Sequence, residues 1–136
     1  QLFRLLASFN QLKGMSVLLI SHELESVAHY TQKLSVLYCG QLVEAGETSQ
    51  LLKTPLHPYT DALIKSVPEF QPDLAAKTPL YALPGSIPTL QHVPIGCRLG
   101  PRCPNARKEC VKTPSLERQQ NHYFSCHFPL TTKGSK

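Results

Sequence analysis

The chain has 136 residues, 41% apolar and 17% charged, which is the size and composition of one ordinary globular domain. Its longest apolar runs, such as residues 17–20, are far too short to span a bilayer, and no basic segment followed by an apolar stretch opens the chain as an export signal would. The net charge of +5 is lopsided: residues 1–96 carry six Lys/Arg and seven Asp/Glu, residues 97–136 eight and two; the basic excess suits a solvated tail, a nucleic-acid patch or cations gathered around an anionic centre.

Residues 2–13 predict an amphipathic helix, with Leu2, Leu5, Leu6, Phe9 and Leu12 at i, i+3, i+4, i+7 spacing and Gly14 as its stop. Residues 16–20 (SVLLI) read as a strand covered on both faces, as in a parallel sheet. Ser21 is placed to cap a helix running to Tyr30, with Glu23 and Glu25 in its first turn. Residues 34–38 (LSVLY) and 41–45 (QLVEA) predict a hairpin around Cys39 and Gly40. A short helix over 47–53 and another over 59–67, opened by Pro58, complete an α/β segment. The only methionine is Met15, and Gln1 reads as a cut end of a longer product.

At Pro68 the texture changes. Six prolines within residues 68–94 exclude long helices and central strands, so 68–95 reads as an extended connector. Residues 96–136 form a cysteine-rich extension, in which 96–128 are too poor in apolar side chains to build a core alone, and 131–136 read as a frayed end. Cys97, Cys103, Cys110 and Cys126 follow a C-x5-C-x6-C-x15-C spacing. Without an export signal, clustered cysteines point to metal rather than to bridges. Zinc ribbons use tight C-x2-C knuckles, absent here; the loose loops suit a larger cube-shaped centre such as [4Fe–4S], with zinc, free thiols and disulfides as alternatives. Arg98, Arg102, Arg107 and Lys108 would offset its negative charge, and N–H groups near Gly96 and Gly100 would serve the sulfurs. His92, His122 and His127 rank behind the cysteines as substitute ligands. Cys39, at a strand end, reads as a half-buried free thiol.

The block LISHELESVAHYTQKLSVLYCGQLVEAG resembles the end of the nucleotide-binding domain of ABC transporters. There an apolar strand leads into a switch histidine within a T/S-H-D/E pattern, followed by a helix, a strand and a hairpin. His22 matches that histidine, and the resemblance implies that it contacts the γ-phosphate and orients the attacking water; Glu23 is then a helix-start acid. The family's G-x-x-x-x-G-K-[ST] phosphate loop, its LSGGQ-like signature and its Asp-Glu strand end are not in this sequence. TPLHPYTDALIKSVP and the later GCRLGPRCPNARKEC resemble the C-terminal extension of the oligopeptide and dipeptide importer branch. The resemblance implies the C-terminal part of an energy-coupling ATPase subunit at the cytoplasmic face of a bacterial inner membrane. It also implies ATP and Mg²⁺ as cofactors of the intact subunit, a [4Fe–4S] cluster on Cys97, Cys103, Cys110 and Cys126, and uptake of antimicrobial or other short peptides. The partners implied are a second ATPase subunit, permease subunits and a periplasmic peptide-binding protein. The fragment alone, without the phosphate loop, is expected to be inactive. The other reading is a metal-stapled basic module that binds nucleic acid; the few tail aromatics, Tyr123, Phe124 and Phe128, cluster near Cys126 and speak against it.

Overall fold

In the computed structural model, residues 1–75 and 77–130 are described. The frayed end expected over residues 131–136 lies outside them.

Helix α1 (Leu2–Lys13) ends where predicted, at Gly14 in the left-handed conformation. Its apolar stripe is largely uncovered, with no residue of the helix buried; Leu2, Leu5 and Leu12 stand in solvent, while Phe3 stacks on Tyr30 at 5.2 Å.

Residues 16–20 are not a strand. No regular element lies between α1 and α2 (Leu24–Tyr30), and Leu18 and Ile20 are 88% exposed. The apolar run has the composition of a central strand, but a strand persists only when neighbours accept its N–H and C=O groups. None of the described strands pairs with it. The helix expected from Ser21 starts at Leu24; the Ser21 hydroxyl accepts the Glu23 N–H at 3.0 Å just ahead of it.

Strands β1 (Lys33–Tyr38) and β2 (Gln41–Glu47) form the predicted antiparallel hairpin, with a register irregularity between Val36 and Leu37. Alternate residues of β1 (Leu34, Val36 and Tyr38) point inward, the period-2 pattern of a half-buried strand. Helices α3 (Thr48–Lys53) and α4 (Pro58–Lys65) follow. The cysteine-rich segment then returns to the hairpin: β3 (Glu117–Gln119) and β4 (His122–Phe124) form a second, short hairpin whose β4 pairs with β2. The sheet order is β1-β2-β4-β3 and every pairing is antiparallel. The parallel sheet expected from the sequence is therefore not what these residues form; the fold is a mixture of helices with a small antiparallel sheet.

The core gathers Val27 of α2, Leu34, Val36 and Tyr38 of β1, Val43 of β2, Leu51 of α3 and, from the cysteine-rich segment, Leu99 at 1% exposure. The extension is held to the hairpin by apolar burial and shared strands.

Candidate functional site

Cys97, Cys103 and Cys126 from three loops and Cys110 from a short 3-10 helix (Lys108–Val111) line one small cavity, closed by Leu99, Phe128 and His57. The main chain crosses itself there: the Cys97 N–H donates to the Cys110 carbonyl at 2.9 Å. Gly96 makes this crossing possible. Its φ is +82°, and a Cβ on it would stand 2.4 Å from Val111 backbone atoms and 2.5 Å from the Cys110 oxygen, closer than any side chain can approach.

Burial pushes the Cys126 thiol up to about 11, the neighbouring Cys103, Cys97 and Cys110 push it the same way, and the Phe128 N–H at the sulfur opposes them. Cys103 is raised by burial and by Cys97 and Cys110, and held back by the Asn105 N–H. The Arg107 N–H reaches Cys110 Sγ at 3.5 Å. These main-chain donors, rather than those near Gly96 and Gly100, serve the sulfurs; the Gly100 N–H goes to the Cys97 carbonyl. Backbone N–H groups aimed at sulfur favour the thiolate, and gathering four thiolates in one place is costly unless a cation compensates. The chemistry of this donor set fits a thiolate-held metal group. Among the described residues, however, no three His, Cys, Asp or Glu side chains are grouped so as to hold a metal ion.

Of the substitute ligands, only His127 lines the cavity, and its Nε2–H donates to the Lys112 carbonyl at 2.7 Å. His92 is exposed beside the Thr89 hydroxyl. His122 is buried elsewhere, in a pair with Glu44 that the sequence did not reveal. Glu44, at 0% exposure, accepts the Leu56 N–H at 2.7 Å and the His57 N–H at 3.0 Å, and its Oε1 lies 2.5 Å from His122 Nε2. One carboxylate thereby joins β2, the start of α4 and β4. His57 caps α4 through Nδ1, which accepts the Tyr59 N–H at 3.0 Å. Burial lowers the His57 ring to about 4, so it is neutral near pH 7. An ionisable residue inside the apolar run QLVEA was the one signal in the sequence for this junction.

Two of the four basic residues expected to balance the centre are engaged with the hairpin instead. Arg98 donates to the Cys39 carbonyl, and Arg102 donates to the Pro84 carbonyl at 2.9 Å and the Tyr38 hydroxyl at 3.2 Å. Arg107 lies over the Phe128 ring at 4.3 Å, against the cavity wall. Cys39 packs on the core and does not line the cysteine cavity.

His22 is exposed on the rim of a separate groove of about 900 Å³, lined by Phe3, Leu6, Leu19, Val27 and Tyr59 among others. The loop from Gly14 to Glu23 carries it, and it does not line the cavity of the cysteines.

The segment from β2 through α4 to Cys110 holds most of the junction and three of the four cysteines. A family model described as the oligopeptide/dipeptide transporter C-terminal region matches residues 43–110, half of the chain. The chain belongs to this family. Relatives of this transporter family extend the likeness to nearly the whole chain. The peptide transport system ATP-binding protein SapD of Escherichia coli O6:H1 is 50% identical over 130 residues, 96% of this chain and 39% of the relative. SapD of Haemophilus influenzae is 47% identical over 133 residues, 98% of this chain and 38% of the relative. The dipeptide transport ATP-binding protein DppD of Escherichia coli K12 is 39% identical over 136 residues, 98% of this chain and 41% of the relative. The chain spans about two-fifths of the length of the relatives it matches. No helix among the described residues of this transporter C-terminal region is long and apolar enough to cross a membrane.

Proposed function

We propose that the chain is the C-terminal part of the ATP-binding, energy-coupling subunit of a bacterial ABC importer for peptides, of the Sap or oligopeptide type. The likeness over 96% of the chain to a peptide transport ATP-binding protein carries this reading. The open apolar groove and the unpaired run 16–20 support it: they are a face that further strands of an ATPase domain would cover. In the intact subunit, ATP with Mg²⁺ binds where His22 can reach the γ-phosphate and orient the attacking water. The chain itself carries no phosphate loop and is inactive alone. A second ATPase subunit, two permease subunits and a periplasmic peptide-binding protein complete the transporter, at the cytoplasmic face of the inner membrane. Antimicrobial or other short peptides are the substrates.

Cys97, Cys103, Cys110 and Cys126 would hold a [4Fe–4S] cluster that fixes the extension against the hairpin; when bound it would supply thiolate–metal bonds, which stabilise small folds, rather than electron transfer. The shared cavity and the N–H groups at Cys103, Cys110 and Cys126 support this set. The nucleic-acid reading loses its support, because Arg98, Arg102 and Arg107 and the rings of Phe124 and Phe128 are engaged within the chain.

The test of the ATPase reading is His22→Ala in the intact subunit. ATP affinity should stay within about twofold while turnover falls about a hundredfold or more; unchanged turnover removes His22 from the site. For the centre, anaerobically purified intact subunit should contain iron and absorb in the visible range. One zinc and no iron would replace the cluster by a zinc site, and no metal at all would refute both.

A further inference from the structure

We propose that His57 is a positioning residue of the cysteine centre, presenting its Nε2–H as a hydrogen-bond donor to the sulfur-lined cavity. The inference rests on the reading that Cys97, Cys103, Cys110 and Cys126 bind a metal group, and it concerns a residue outside that ligand set.

His57 is 1% exposed and lies on the wall of the cavity the four cysteines share. Two bonds fix it. Its own N–H donates to Glu44 Oε2, and its Nδ1 accepts the Tyr59 N–H. A backbone N–H can only donate, so Nδ1 is the unprotonated nitrogen, and in the neutral ring the proton sits on Nε2. Nε2–H is therefore the ring's remaining donor. The cavity wall around it is made of sulfur and carbon side chains such as Leu99 and Phe128, together with Pro58, Asn105 and His127. No partner among the described residues takes this donor, and a thiolate or a metal-bound sulfur is the anionic acceptor that the cavity wall offers. Donors of this kind orient and steady the ligands of metal sites, and their loss weakens metal binding about 10–100-fold. The arrangement also explains why a histidine stands at a helix cap. Ser, Asp or Asn would cap α4 equally well, but none of them offers a second nitrogen on the far side.

Two substitutions in the intact subunit separate the roles. His57→Asn keeps a capping oxygen for the Tyr59 N–H and removes the distal donor. His57→Gln places an amide N–H near the position of Nε2 at the expense of the cap. His57→Asn should leave the helix content and thermal midpoint close to wild type, yet release metal to a chelator about tenfold faster and alter the visible absorption of the centre. His57→Gln should keep release and spectrum near wild type. Equal metal release and equal spectra in wild type and His57→Asn would overturn the proposal, as would a defect in His57→Gln as large as in His57→Asn. If the wild-type subunit binds no metal, the metal reading fails on its own, and iodoacetamide labelling of the thiols at pH 7 decides about His57. A lost donor should then slow labelling of at least one of the four cysteines about tenfold, with Cys39 unchanged as the internal reference; identical labelling overturns it.

Discussion

Glu44 is the residue on which three segments meet. It is fully buried, and every partner it has belongs to an element other than its own: the Leu56 and His57 N–H groups at the start of α4 and the imidazole of His122 on β4. Removing the carboxylate leaves two main-chain donors and a histidine without an acceptor, and breaking such a buried group from one side costs about 3–5 kcal/mol. Removing His122 leaves Glu44 with its two N–H donors and costs less. Glu44→Ala should therefore lower the thermal midpoint of the intact subunit more than His122→Ala, and should expose residues 117–130 to protease. The reverse order would mean that the junction is organised around His122. From sequence, His122 was a substitute metal ligand and Glu44 merely a hairpin residue. Glu44 does stand in the hairpin, but the pairing of the two lies in a contact across 78 positions that no local spacing encodes.

At the scale of elements, the local signals worked where the element stabilises itself or pairs with its sequence neighbour. The hairpin β1–β2, the stop of α1 at Gly14 and the start of α4 at Pro58 are all of this kind. They failed at residues 16–20, whose apolar composition promises a strand but whose hydrogen bonds need partners from elsewhere. They also missed β3 and β4, each only three residues long, which persist because β2 offers its free edge. The cysteine loops depend on a close crossing that only Gly96 permits. Gly96→Ala would push a methyl into the Cys110 and Val111 backbone. The expected outcome is a loss of about 2–4 kcal/mol of stability, with metal content falling together with it. Gly100→Ala, where a Cβ meets nothing within 4 Å, is the control and should be nearly silent; equal effects of the two would show that the crossing carries no strain.

For the molecule as a whole, the sequence alone determined the family and the chemical inventory. The histidine block, the HPYT element and the four spaced cysteines are short linear patterns, and a linear pattern is legible without a fold. The sequence also predicted the hairpin, because a turn and two alternating strands are local. Only the tertiary structure decided that all described strands are antiparallel, that Leu99 from the extension completes the core, and that four cysteines from separate segments share one cavity. It likewise decided that Arg98 and Arg102 hold the hairpin, and that His57 stands between a buried carboxylate and the cysteines. Each of these is a meeting of residues far apart in the chain. Such meetings are selected by the packing and hydrogen bonding of the whole fold, where burial makes every unpaired polar group costly and so leaves few arrangements open.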